Sequence, residues 1–229
     1  MRAIITGATK GIGKAIAVAL AKKGYDIIGC ARNEVELASF ETEMKSYDVD
    51  VLAIKADLGK KVEVQDFIAK AITFAPQVDV LVNNVGVFYP GSLLDEADDV
   101  FEMQQQTNVN ATYYIAKSIG KLMREQSFGY IFNICSVASK MPVENAGSYS
   151  VTKAAMLSLN NVLRKELAPY HVKVTAIIPG ATYTASWEGT TLDKAKFVQP
   201  EDVAKAIDTI LSLSDGTNVD ELTITPSNF

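Results

Sequence analysis

Tyr149 and Lys153 stand four residues apart, the spacing that puts two side chains on one face of a helix. The chemistry this allows is proton transfer. A free tyrosine, with a pKa of about 10, is a poor acid or base at neutral pH. A neighbouring ammonium favours the phenolate. A phenol tuned in that way can give a proton to a carbonyl oxygen or take one from an alcohol. Ser136 lies thirteen residues before Tyr149 and follows the apolar run 130–135, which reads as a buried strand. A hydroxyl at a strand end can hydrogen-bond the same substrate oxygen. The spacing alone is not specific, because the chain has nine tyrosines and Tyr113 with Lys117 repeats it. Thirteen residues before Tyr113, however, stands Val100, which cannot donate a hydrogen bond, and no strand precedes it. Tyr149 and Lys153 are therefore read as the functional pair, and Tyr113 and Lys117 as an incidental one.

The elements that must position these groups are legible from the start of the chain. Ala3 to Thr6 reads as a short buried strand, and Gly7-Ala8-Thr9-Lys10-Gly11-Ile12-Gly13 as a glycine-rich turn. A helical pattern follows over 14–23. Strand, glycine turn and helix together present backbone N–H groups and a helix N-terminus to a pyrophosphate. The spacing is Gly-x-x-x-Gly-x-Gly. Residues 26–30 read as a second strand, whose end approaches the adenosine ribose. An acidic residue for a 2′-hydroxyl is the usual mark of an NAD site here. This chain has Ala31-Arg32-Asn33 instead. Arg32 and Lys10 could pair with a 2′-phosphate, which favours NADP(H).

Further strands are expected over 51–55 and 80–83, with helices over 34–47 and 62–75. At the third strand's end Asp57 and Leu58 could bracket an adenine, although Asp57 could instead cap the next helix. Alternating strands and helices imply a parallel sheet with its ligand at the strands' C-terminal ends. The length of 229 residues fits one domain spanning 1–229, with a sizeable core. A net charge of −5 with no basic block argues against nucleic acid, and no apolar run reaches membrane-span length. The first motif begins too near Met1 to leave room for a signal peptide. Two cysteines without a Cys-x-x-Cys fit a reduced, cytoplasmic protein. Cys30 and Cys135 are read as packing residues. One histidine, His171, excludes a histidine-rich metal site, and no metal is expected.

Taken together, Thr6-Gly7-x-x-x-Gly11-Ile12-Gly13, Asp57, Asn83-Asn84-x-Gly86, Asn108, Ser136, Tyr149-x-x-x-Lys153 and Pro179-Gly180-x-x-x-Thr184 make the chain resemble the short-chain dehydrogenase/reductase family, single-domain type. The resemblance spans essentially the whole chain. It implies a doubly wound parallel α/β sheet, a Rossmann fold, and hydride transfer between NADP(H) and a carbonyl or alcohol. It implies that Asn84 and Gly86 border the cofactor, although Val85 stands where the family usually has alanine. Asn108 matches the asparagine that holds a water against the lysine, with Asn110 the competing candidate. Lys153 should also bind the nicotinamide ribose. The loop of Pro179, Gly180, Thr182 and Thr184 should hold the carboxamide.

The region 98–126 is helical in pattern, and two asparagines inside it hint at a local distortion. The loop 137–147 is expected to line the substrate pocket, with Met141 and Val143 as apolar contacts. Helix is expected again from Tyr149 to about residue 168, then a strand over 172–178, a helix opening at 199–202 and a last strand over 218–225. Residues 185–198 read as a lid, with Tyr183 and Trp187 as substrate contacts, although Trp187 could equally anchor the lid. Similar proteins pair the two long helices between subunits, which implies a homodimer or homotetramer. The tail and the 183–187 loop resemble the sepiapterin-reductase-like branch, so a pterin ketone is one candidate substrate. Small ketones, 3-oxoacyl groups and sugars stay open. The complete proton-transfer set argues against a non-catalytic nucleotide sensor.

Overall fold

The computed structural model describes residues 1–187 and 189–227. In chain order the regular elements are β1 (Arg2–Thr6), α1 (Gly11–Ala21), β2 (Asp26–Ala31), α2 (Glu34–Lys45), β3 (Val51–Lys55), α3 (Lys61–Phe74) and β4 (Val80–Asn83). They continue with α4 (Asp98–Gln104), a π turn (Gln105–Asn110), α5 (Ala111–Gln126), β5 (Gly129–Ile134), α6 (Gly147–Leu167), β6 (Val172–Pro179), α7 (Pro200–Leu211) and β7 (Glu221–Ile224). The seven strands form one sheet in the order β3-β2-β1-β4-β5-β6-β7, and every pairing is parallel.

Parallel strands bury both faces, so their sequences are apolar throughout and the pleat sorts alternate residues between two cores. In β1, Ala3 and Ile5 face the helices α1, α2 and α7, where Ile16, Leu20, Phe40, Met44, Val203 and Ile207 pack. Ile4 points the other way, with Ile28, Leu81 and Ile131, onto α3, α5 and α6. Burying each such side chain contributes about 1.5–3 kcal/mol. The helix ends follow local chemistry. Asn33 caps α2 by accepting from the N–H groups of Val35 (2.9 Å) and Glu36 (3.2 Å). α7 opens on Pro200, with Glu201 and Asp202 in its first turn.

Two differences from the sequence-based expectation concern the site. α1 starts at Gly11 rather than at Lys14, because the second half of the glycine turn is already helical. The helical stretch 98–126 is two α-helices joined by the π turn, which contains both asparagines. A π turn is a local widening that recurs at functional sites. β7 is also shorter than the expected 218–225.

The strand order reverses between β1 and β4, where neighbouring crossovers leave in opposite directions and a crevice opens at the strand ends. A buried polar chain stiffens the sheet beside it. The Asn83 amide donates to Asn133 Oδ1 (2.9 Å), and the Asn133 amide donates to Asn160 Oδ1 on α6 (2.9 Å). This ties β4, β5 and α6 together directly beneath the crevice.

Candidate active site

The crevice is closed on its β1–β4 side by hydrogen bonds that no spacing rule suggests. Thr6 Oγ1 accepts from the N–H groups of Asn84 (2.9 Å) and Val85 (3.0 Å). The Asn84 amide nitrogen donates to the carbonyls of Thr6 (2.9 Å) and Gly7 (3.1 Å). Asn84 thus rivets the glycine turn to the end of β4. Gly7 and Gly11 have φ of +65° and +52°, the left-handed region where a side chain is strained. A Cβ on Gly13 would lie 2.2 Å from the Gly7 carbonyl oxygen, so only glycine lets the turn fold back on α1. The first turn of α1 carries no side-chain cap and no acidic residue. Its N–H groups, including those of Ile12 and Gly13, are therefore oriented for an external anion, and the turn fits a dinucleotide pyrophosphate. Thr184 leans over this turn: a Cβ on Gly11 would meet its methyl at 3.1 Å.

At the adenosine end the expected residues divide. Arg32 is exposed just past β2. Lys10 is engaged by Glu36 at 2.7 Å, and Glu36 also accepts from the Thr9 hydroxyl at 3.2 Å. Asn33 spends its side-chain oxygen on the α2 cap. Asp57 does not cap α3. Its carboxylate accepts from Gly59 N–H (3.0 Å), while its own N–H donates to Glu63 (2.7 Å). Leu58 is 2 % exposed and packs inward with Val64 and Phe67, so its side chain serves the core and only its backbone borders the rim.

The expected catalytic residues converge on α6. Lys153, only 5 % exposed, donates to the Ile134 carbonyl at 2.9 Å, at the C-terminal end of β5. Its Nζ lies 5.7 Å from the Tyr149 ring centroid. Ser136 stands two residues past that carbonyl, ahead of a short helical turn, and its Oγ accepts from Ala138 N–H (3.2 Å). That bond leaves the hydroxyl hydrogen for another acceptor. Asn108, buried in the π turn, accepts from Val87 N–H (2.8 Å) and donates to the Val87 carbonyl (3.0 Å) and to Thr152 Oγ1 (3.1 Å). The Thr152 hydroxyl donates to the Tyr149 carbonyl (2.9 Å). An unbroken chain thus links the loop after β4 to the base of Tyr149. Asn110 instead bonds Gln106 and Gln105 within the π turn. A Cβ on Gly86 would lie 3.4 Å from Lys153 Nζ and 3.5 Å from Asn108 Oδ1, so the bare backbone there passes close beside both groups.

Sequence reasoning missed several contributors. Thr152, Glu36 and the Ile134 carbonyl carry no motif of their own. Phe88 meets the Tyr149 ring edge-on, with centroids 5.0 Å apart. Glu96 accepts from the buried Ser148 hydroxyl next to Tyr149. The loop after β4 is also stitched to the substrate loop by Gly91 N–H to the Asn145 carbonyl (2.8 Å) and Gly147 N–H to the Gly91 carbonyl (3.1 Å). Met141, 74 % exposed, and Val143 lie on that stitched loop. In the 185–198 segment, Trp187 packs against Phe197 at 4.8 Å and Tyr183 meets the same ring at 5.8 Å. Tyr183 N–H also donates to the Val198 carbonyl (2.9 Å). Phe197 therefore anchors both aromatic residues. Thr182 is buried, and its hydroxyl donates to the Gly180 carbonyl (3.0 Å).

Burial pushes the Cys30 thiol up to about 12 and the Cys135 thiol up to about 11, the latter partly offset by the Lys153 charge. Thiols protonated this far above neutrality are inert. Neither cysteine should react with Ellman's reagent at pH 8 in the folded protein, and both should titrate in denaturant. Rapid labelling of the native state would contradict this burial.

A model of the short chain dehydrogenase family matches residues 1–195. An uncharacterised oxidoreductase of Staphylococcus aureus (strain MRSA252) is 33% identical over 224 residues, covering 98% of this chain and 96% of the relative. Among solved structures, a variant of actinorhodin polyketide ketoreductase with NADPH superposes with a TM-score of 0.89 at 26% identity, covering 98% of this chain and 95% of that one. An alcohol dehydrogenase from the archaeon Thermococcus sibiricus, complexed with 5-hydroxy-NADP, gives 0.89 at 28% identity, with coverages of 97% and 95%.

Proposed function

Because this chain belongs to the short chain dehydrogenase family, we propose that it moves hydride between NADP(H) and a carbonyl or alcohol carbon, chiefly in the direction of carbonyl reduction. The observation that carries this reading is the buried Lys153, held by the Ile134 carbonyl one helical turn from Tyr149, whose own main-chain carbonyl is joined to Asn108 through Thr152. A buried ammonium with no carboxylate partner among the described residues is costly, so its presence points to a function.

The nicotinamide ring, when bound, supplies or accepts the hydride. Everything else falls to the chain. The turn 7–13 and the α1 N-terminus would hold the pyrophosphate, Lys10 and Arg32 the 2′-phosphate, and Asp57 the adenine. Asn84 and Gly86 would border the nicotinamide half, Lys153 would bind its ribose, and the loop carrying Pro179, Gly180, Thr182 and Thr184 its carboxamide. NADP(H) complexes of the solved neighbours support that choice of cofactor. Ser136 orients the substrate oxygen, and Tyr149 gives it the proton as negative charge develops there. Lys153 faces that charge and passes the next proton up. Both Asn108 amide hydrogens are committed, so its part in resupplying the proton falls to its remaining acceptor groups.

Phe88 meets the Tyr149 ring, and Tyr89, Leu93, Met141 and Val143 are exposed on the same two stitched loops, which would give the approach to Tyr149 an apolar lining. That lining supports an apolar or aromatic ketone, with residues 185–198 as the lid. A pterin ketone of the sepiapterin type belongs to this class. Exposed Tyr113, Val151 and Val162 on α5 and α6 support a homo-oligomer, which sedimentation would check.

The test is NADPH consumption across aryl ketones, diketones, 3-oxoacyl thioesters and sepiapterin, with NADH in parallel. Turnover of aryl or pterin ketones with NADPH is the expected result. Turnover confined to small polar carbonyls would overturn the substrate class, and no oxidation of NADPH by any member would overturn the enzyme.

A further inference from the structure

Glu36 is placed where the chemistry of a helix end alone would not put it. It is the third residue of α2, a position from which a glutamate commonly turns back to the cap residue. Here Asn33 does the capping, and the Glu36 carboxylate crosses to the glycine turn instead. One oxygen lies 2.7 Å from Lys10 Nζ, and the other accepts from the Thr9 hydroxyl at 3.2 Å. The hydrogen bond from Lys10 holds its carboxyl below the usual carboxylate range, so it is anionic at neutral pH. The cation assigned to the 2′-phosphate therefore already has an anion beside it.

We propose that Glu36 is a specificity-determining residue of the cofactor site, an internal counter-ion that competes with the 2′-phosphate for Lys10 and so narrows the preference for NADP(H) over NAD(H). This rests on the cofactor reading above. A phosphate brings more negative charge towards Glu36 and must share or displace the Lys10 contact. The 2′-hydroxyl of NAD(H) is a hydrogen-bond donor, which a carboxylate can accept. One side chain thus penalises the first cofactor and tolerates the second.

The experiment is fluorescence titration of NADPH and NADH with wild type, Glu36→Gln, Lys10→Met and the double variant. Glu36→Gln keeps the size of the side chain on a half-buried surface helix, so the fold is not at stake. It should raise the ratio of the NADH Kd to the NADPH Kd by about fivefold, the scale of an exposed charge pair. In the Lys10→Met background the gain should fall to less than half. An unchanged ratio, or a gain of the same size without Lys10, would overturn the proposal. Wild type binding NADH more tightly than NADPH would overturn the cofactor reading instead, while the shift on Glu36→Gln would still decide the role of Glu36.

Discussion

Replacing Tyr149 with phenylalanine is expected to cut kcat by about a thousandfold, the contribution of a positioned proton donor, and to leave the NADPH Kd within about twofold. The structure makes this a clean removal of one hydroxyl. The ring stays in its edge contact with Phe88. The Thr152 hydroxyl bonds the main-chain carbonyl of residue 149, which the substitution keeps. Lys153 retains its hold on the Ile134 carbonyl. Steady-state turnover, nucleotide titration and a thermal melt would together separate lost chemistry from lost binding or folding. The control is Tyr113→Phe. Tyr113 and Lys117 have nearly the same local geometry, with Nζ 5.9 Å from the ring, yet Tyr113 lies exposed on α5. That variant should turn over like wild type. Undiminished turnover in Tyr149→Phe would sink the assignment of the proton donor.

The second large effect concerns Gly13. Alanine there would place its Cβ 2.2 Å from the Gly7 carbonyl oxygen and 2.5 Å from Asn84 Nδ2. Neither atom is free to yield. One belongs to the backbone of the turn, and the other is the donor that rivets the turn to β4. Overpacking of this kind costs about 1–3 kcal/mol or more. For a domain of this size that lowers Tm by roughly 5–10 °C. Reopening the turn also misaligns the α1 N-terminus, so NADPH affinity should fall by more than about tenfold. Gly11→Ala is the informative comparison. It meets only the Thr184 side chain and carries the cost of a left-handed residue, about 1 kcal/mol. If Gly13→Ala melts and binds like wild type, the turn is more compliant than its contacts require.

The legible part of this protein was the part written in local pattern. Continuous apolar runs of four to eight residues alternating with helical periods specify a parallel sheet, because only a strand buried on both faces has no polar side. The order and bounds of β3 and β4 follow from this, and so does the place of the glycine turn, Asp57 and Asn84 just past the C-terminal ends of β1, β3 and β4. The two asparagines of 98–126 foretold a distortion, though not its form as a π turn. Tyr149 and Lys153 were readable because a helix fixes the geometry of residues four apart.

What the chain order alone determined, then, was the sheet, the glycine turn and the spacing that makes Tyr149 and Lys153 candidates, since each depends on neighbours a few residues away. Tertiary structure decided what those groups are bound to. Ile134 reaches Lys153 across nineteen residues, Asn108 reaches Thr152 across forty-four, and Asn84 reaches Thr6 across seventy-eight. Glu36 sits on Lys10 rather than on its own helix end. Such contacts form only once strands β1, β4 and β5 lie side by side, and no local period encodes them. Tyr113 and Tyr149 show the division most plainly. Each has a lysine at the same spacing and nearly the same distance; the sequence separates them by the strand and serine ahead of Tyr149, and the fold adds the burial of Lys153 against the end of β5.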